Sequence, residues 1–341
     1  MTIKDIARLS GCGVATVSRV LNQHPDVSHE TRKKVLAVVE EHGFRPNNNA
    51  KHLKQQAGTS IAILVKGTQN ILFADLVEQV QALLRDSGRD AAVCYLDEDA
   101  NEVAYALQLC RERKPVGIVF LGGDLEYFES SFQAIMVPCV LLTNTAQGLH
   151  FDNLSSLTTD DEQGAFEAID FLMSKGHRKI GVLGGNQSFS QISYRRLQGC
   201  QRAFECRGLT FDASRCVEPS RYSMSDGYGA TQRLLKRCPE LTAIFAMSDV
   251  MAIGAIRALR DLGKRVPEDI SVVGYDGLSI ARYSIPRLTT IRQDTHQLAE
   301  QGVDVLLRNI ERNNRPIHGV VPFQMITGES VASLSHQTHQ T

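Results

Sequence analysis

"GCGVATVSRVLNQHPDVSHETRKKVLAVVEEHGFRPNNNAKHLKQQ", residues 11–56, sets apolar residues at helical spacing between a glycine turn and two basic clusters. Val17, Val20 and Leu21 fall at i, i+3 and i+4, so "VATVSRVLN" predicts a short helix with those three on its inner face. Ahead of it, Thr2 stands three residues before Asp5, a capping-box spacing, and Ile3, Ile6, Ala7 and Leu9 supply the apolar face of a first helix. "SGCG" at 10–13 ends that helix with two glycines. A third helix follows "PDVS", with Ser28 as cap, and runs through Val35, Leu36 and Val39 to Gly43, a residue suited to the position just past a helix end. Two short helices joined by a tight glycine-bearing turn predict a helix-turn-helix.

In that motif the N-terminal end of the second helix enters the DNA major groove. Arg19 can fork to guanine O6 and N7, and Val14 and Ala15 offer apolar contact to thymine methyls. Thr16 and Ser18 suit phosphates, as do Lys33, Lys34 and Arg45, and Thr2 and Asn22 complete the expected contact set. The competing reading is a solvated three-helix bundle whose charges serve solubility. "FRPNNNAKHLKQQ" (44–56) has too few apolar residues to fold by its own burial. Asn47 can cap a short helix there, carrying Ala50, Lys54 and one large apolar side chain, Leu53. Such a marginal helix suits a segment that folds on DNA and wedges Leu53 into a minor-groove step; the alternative is a flexible linker.

The remaining sequence has a different character. The 341 residues are enough for two or three domains, and 43% of them are hydrophobic. The formal charge of −1 is unevenly spread, since residues 1–58 carry nine basic against five acidic side chains and the rest carries a net −5. A basic head on an acidic body predicts that only the head meets a polyanion. Eight cysteines show neither a CxxC pair nor metal-ligand spacing, which predicts free thiols in a reducing compartment. No signal-like segment opens the sequence and no apolar run reaches bilayer length, so a cytoplasmic, nucleoid-associated protein without membrane contact is expected.

From residue 60, apolar runs ("IAILV", "AAVCYL", "VGIVFL", "CVLL") alternate with amphipathic stretches near 72–87, 101–113 and 127–135, and the rhythm resumes with "KIGVLG", "AIFAM" and "ISVVGY". Strands alternating with helices predict parallel sheets covered on both faces, here in two series and hence two lobes. Polar residues at the C-terminal ends of such strands point into a crevice. Asp160, Arg196, Ser248 and Asp276 occupy those places. Carboxylates accept bonds from vicinal hydroxyls and a guanidinium donates a fork, while Phe73 and Tyr222 can lie against an apolar ligand face. Helix capping competes for Asp160, Asp161 and Asp249. His177, at a helix end before a strand, reads as structural, and no metal or cofactor is expected. Neither GxGxxG, a Walker motif nor a GxSxG elbow is present, so catalysis is not expected. A transport receptor of the same shape would need an export signal and no basic head.

"TIKDIARLSGCGVATVSRVLN", "TRKKVL" and "GFRPNNNAKHLK" resemble the head and hinge helix of the lactose-repressor/galactose-repressor (LacI/GalR) family. The resemblance continues in order through "NILFADLVEQV", "GAFEAIDFLMSKGHRKIGVLGG", "RRLQG", "AMSDVMAIGAIRALRDLG", "VPEDISVVGYDG" and "PRLTTIRQD", nearly the whole chain. It implies an all-α helix-turn-helix head (1–44), a hinge helix or linker (45–58) and an α/β two-lobed, periplasmic-binding-protein-like body (59–335). The implied lobes are about 59–160 with 292–321 and 161–291 with 322–335, before a disordered tail. It further implies a homodimer on a pseudo-palindromic operator, Leu53 of each subunit meeting at its centre, and an effector held by Phe73, Asp160, Arg196, Tyr222, Ser248 and Asp276. The expected function is a carbohydrate-responsive repressor released from DNA by a small sugar. The second reading is a co-repressor-dependent regulator that binds a purine, nucleoside or phosphorylated metabolite. This sequence departs from the family in three places. Gly277 stands where a second acid is common, Glu329 where an arginine is common, and tryptophan is absent.

Overall fold

The computed structural model describes residues 3–21, 27–41, 60–67, 70–184, 191–312 and 314–334. The chain divides into two compact units, Met1–Ala57 and Gly58–Thr341. In the first, α1 (Ile3–Ser10), α2 (Val14–Leu21) and α3 (His29–Glu41) close on a small core of Ala7, Val17, Val20 and Val35. Gly11 adopts φ 64° and the Cys12 amide returns to the Ala7 carbonyl at 3.0 Å, which is how the turn after α1 is made. Ser28 caps α3 through the Thr31 amide at 3.3 Å. Two expected core leucines are outside it: Leu9 is 47% exposed and Leu36 45%. In helices this short only the residues on the line between axes are covered, and Ser10 takes the buried place one position after Leu9.

In the second unit, β1 (Ile61–Lys66), β2 (Ala91–Leu96), β3 (Gly117–Leu121), β4 (Cys139–Leu142), β5 (Leu154–Thr159) and β11 (His318–Val321) form one sheet in the order β11-β5-β4-β3-β1-β2, parallel throughout. Helices α4 (Ile71–Asp86), α5 (Glu102–Glu112) and α6 (Leu125–Ser131) follow its first three strands. The unbroken apolar runs have a simple cause. Ile61, Ile63 and Val65 enter one core while Ala62 and Leu64 enter the core on the opposite face, and β3 and β4 divide in the same way.

The second sheet, ordered β12-β10-β9-β8-β6-β7, comprises β6 (Ile180–Leu183), β7 (Val217–Glu218), β8 (Ala243–Ala246), β9 (Ser271–Asp276), β10 (Thr289–Gln293) and β12 (Phe323–Ile326). It departs from the all-parallel expectation at one edge, where β12 runs antiparallel to β10. Around it lie α7 (Asp161–Ser174), α8 (Gln191–Cys206), α9 (Met224–Arg237) and α10 (Asp249–Asp261). Helix α11 (Thr295–Arg312) returns to pack on α4 and the first sheet. The chain therefore passes between lobes after Thr159, after Gln293 and after Val321. Strands β5, β7, β10, β11 and β12 have no long apolar run, so the sequence pattern did not announce them. All eight cysteines are free thiols, and Cys206 is exposed rather than buried. Among the described residues no helix is long and apolar enough to cross a membrane, and no His/Cys/Asp/Glu group is arranged to hold a metal.

Candidate functional site

The C-terminal ends of both sheets open onto one cavity of about 600 Å³, the place where open α/β sheets hold ligands. Its second-lobe wall centres on Arg196, which is only 4% exposed. The residue reaches that position because Gly199, one turn on, lets α8 lie against α7; a Cβ there would stand 2.0 Å from the Glu162 carbonyl oxygen. Arg196 Nε donates to Asp161 Oδ1 at 2.8 Å, Nη1 donates to the Met247 carbonyl, and Nη2 lies 3.8 Å from Asp276 Oδ1. The guanidinium also sits 3.7 Å above the Tyr275 ring. Burial pulls its pKa down, but Asp161, Tyr222, Tyr275 and Asp276 outweigh that and hold it above its ordinary value.

Asp276 ends β9 with φ 110°, a conformation that L residues rarely adopt, followed by Gly277 at φ 72°. Gln293 Nε2 donates to its Oδ1 at 2.8 Å, and Gln293 Oε1 in turn accepts from Thr159 Oγ1 at 2.8 Å. Carboxylate, amide and hydroxyl thus link the ends of three strands across two of the chain's passages between lobes. Burial pushes the Asp276 carboxyl up to about 7, with Arg196 and the Gln293 bond opposing the shift and Asp161 adding to it. Asp161 is likewise raised by burial, against the pull of Arg196. Tyr222 hydrogen-bonds Ser193 through its hydroxyl at 2.9 Å.

On the first-lobe wall, Lys66 at the end of β1 pairs with buried Glu102 at 2.7 Å, and Glu102 also accepts the Asp124 amide at 2.6 Å. Burial raises the Glu102 pKa and Lys66 opposes the rise. Phe73 stands beside them, its ring about 3 Å from where a Cβ on Gly122 would be, so Gly122 makes room for it. Thr143, at φ 71° and 4% exposed, lines the cavity with a hydroxyl that has no hydrogen-bond partner among the described residues. Across the mouth, Arg221 of the second lobe donates to Asp99 of the first at 2.9 Å and lies 3.9 Å from Glu98.

Of the six residues expected to meet an effector, Phe73, Arg196, Tyr222 and Asp276 line this cavity. Asp160 and Ser248 stand off its wall. Asp160 is exposed and caps α7 through the Gln163 amide at 3.0 Å, while Ser248 is buried and caps α10 through the Met251 amide at 3.2 Å. Asp249 is not the cap; its carboxylate accepts from Thr290 Oγ1 and the Leu278 amide, both at 2.6 Å. His177 is buried between Thr242 Oγ1 and the Ala332 carbonyl, each 3.0 Å from a ring nitrogen, as a structural histidine should be. In the head, Arg19 is exposed on α2, Thr16 is half-buried, and Lys33 and Lys34 are exposed on α3. Val14, Ala15 and Ser18 lie on α2 as helical backbone. Thr2, Asn22, Asn47, Ala50, Leu53, Lys54 and Arg45 fall outside the described residues, as does Gly43.

The same two parts are matched by known proteins. The model of bacterial regulatory proteins of the lacI family matches residues 2–47, and that of the periplasmic binding protein-like domain matches residues 169–331. The HTH-type transcriptional regulator MalR of Clostridium butyricum is 34% identical over 333 residues, 97% of this chain and 99% of that protein. The chain belongs to the lacI family of bacterial regulatory proteins. Among solved structures, the transcriptional regulator CelR–cellobiose complex is 27% identical, with a TM-score of 0.71 and coverage of 97% of this chain and 99% of that one. The lac repressor dimer bound to operator and the anti-inducer ONPF is 25% identical, with a TM-score of 0.69 and the same coverage. In this lacI-family regulator the sequence reading missed Lys66, Thr143, Asp161, Arg221 and Gln293. Lys66 was within reach, as the first polar residue closing an apolar strand, whereas Gln293 ends a strand that is polar along most of its length. Arg221 was not, because its partner Asp99 lies 122 positions away.

Proposed function

We propose that the protein is a homodimeric, sequence-specific repressor whose affinity for a pseudo-palindromic operator is set by a saccharide bound between its two lobes. The observation that carries the reading is the cluster of Arg196, Asp276 and Gln293 on the cavity wall. It offers a buried fork of donors beside a buried carboxylate, the complement of vicinal hydroxyls, with Phe73 opposite as an apolar surface. The relative with cellobiose bound and the relative bound to operator as a dimer support the two halves of the proposal. Binding that differs between two lobe arrangements couples to DNA by about 1–3 kcal/mol in systems of this kind, and the coupling is reciprocal.

The test is a duplex selected by the protein from random sequence, followed by titration of the full chain with and without saccharides. A sugar effector changes the operator Kd by roughly 5- to 150-fold, and Asp276→Ala removes that response while operator binding remains. Arg19→Ala is expected to lose discrimination at one base pair, about 1–3 kcal/mol. A uniform loss on all DNA would make Arg19 a phosphate contact. An operator affinity indifferent to every saccharide would refute the effector half.

A further inference from the structure

The charge of the cavity wall narrows the ligand beyond "saccharide". Five acidic side chains line it, Asp97, Glu98, Asp99, Asp226 and the partly protonated Asp276, against three cations, Lys66, Arg196 and Arg221. Each cation is already engaged: Lys66 with Glu102 at 2.7 Å, Arg196 with Asp161 at 2.8 Å, and Arg221 with Asp99 at 2.9 Å. Two of those partners, Glu102 and Asp161, stand behind the wall and add further negative charge.

A phosphoryl group carries close to two negative charges at neutral pH and needs cations or free amide donors to replace its hydration. Here it would meet a surplus of carboxylates, with the strongest donors held by others. A hydroxyl has the opposite requirement: it donates to carboxylates and accepts from a side chain with donors to spare. The buried Thr143 hydroxyl at the cavity wall, which no described residue satisfies, is a further polar atom for a ligand to meet. The volume of about 600 Å³ leaves room for a ligand of disaccharide size.

We propose that this cleft takes an uncharged saccharide of disaccharide size and rejects phosphorylated sugars, the carboxylates at its mouth acting as the discriminating group. The proposal rests on the saccharide reading above and adds the charge of the ligand. It also opposes the reading in which a phosphorylated metabolite acts as co-repressor.

The experiment titrates the full chain by calorimetry with cellobiose, maltose, glucose and ribose, and with the 6-phosphates of the first three and ribose 5-phosphate. A disaccharide is expected to bind, with its phosphate at least about 100-fold weaker, because like charges brought together without compensation discriminate strongly. The ratio should shrink in the double variant Asp97→Asn/Asp226→Asn, whose mouth has lost two charges, and also at high salt. A phosphate that binds as tightly as its parent sugar overturns the proposal and leaves the saccharide reading standing. A ratio unmoved by the double variant and by salt overturns the role given to the mouth carboxylates. Heat with glucose or ribose and none with either disaccharide overturns the proposed size, while the saccharide reading itself falls only to an operator affinity indifferent to every saccharide.

Discussion

Replacing Arg196 by methionine tests whether the buried charge cluster is held together as the geometry states. The variant loses the donor to Asp161 at 2.8 Å and the bond to the Met247 carbonyl, and keeps apolar contact with the Tyr275 ring. Removing one partner of a buried ion pair typically costs about 3–5 kcal/mol, because the other charge remains buried. Here the ceiling can be worked out, since Asp161 can escape the penalty by taking up a proton. With an ordinary carboxyl value of 3.8, that escape costs about 4 kcal/mol at pH 7 and under 2 kcal/mol at pH 5. Asp276, with a value of about 7, is already partly protonated at neutrality and adds little. Both groups are raised on folding, so their contribution to stability is complete below the unfolded carboxyl value and declines as pH rises through the folded one. Urea unfolding followed by circular dichroism should therefore show the body of the variant less stable by up to about 4 kcal/mol at pH 7 and by under 2 kcal/mol at pH 5. A deficit below about 1 kcal/mol at pH 7, or an equal deficit at both pH values, would refute the assignment.

Saccharide hydroxyls donating to Asp276 favour its ionised form, so binding should release a proton near neutrality. Saccharide affinity is expected to be about tenfold weaker at pH 6 than at pH 8 and to level off above that. A flat profile, or the same slope in Asp276→Asn, removes Asp276 from the contact. Two helix glycines should respond in opposite ways. Gly199→Ala forces a Cβ to within 2.0 Å of the Glu162 carbonyl, so α7 and α8 must part, at a cost of about 3 kcal/mol by thermal unfolding, with ligand affinity falling as Arg196 shifts. At Gly229 only the Arg233 side-chain end lies near, at 3.4 Å, and alanine there should stabilise α9 by several tenths of a kcal/mol. Equal responses at the two sites would show that backbone packing is not what sets Gly199.

The head was legible because its information is local. Val17 and Val20 face inward where a 3.6-residue period puts them, Gly11 turns the chain with a positive φ, and Ser28 caps the third helix. Leu9 and Leu36 were misplaced because period alone cannot say how wide a covered stripe is in an eight- or thirteen-residue helix. In the body, the strands buried on both faces announced themselves as unbroken apolar runs. The polar strands β5 ("LSSLTT") and β10 ("TTIRQ") did not, since their burial comes from the sheet they join and from the passages between lobes.

For the site, sequence alone placed Asp276 at a strand end, whereas Arg196, expected at a strand end too, lies within α8 and reaches the cavity from a helix. Local pattern could not decide between capping and ligand contact at "TTDDE" and "AMSD", because an aspartate or serine before a helix satisfies both descriptions. Only the tertiary structure decided that Asp160 and Ser248 cap, that Asp161 turns inward to Arg196, and that Gln293 holds Asp276 from another strand. The ion pair of Arg221 with Asp99 belongs to that second class as well. The physical reason is the same in each case. A charge or hydrogen bond is stable in a buried cleft only when its partner arrives from elsewhere in the fold, and that arrival is set by how the two sheets and their helices pack.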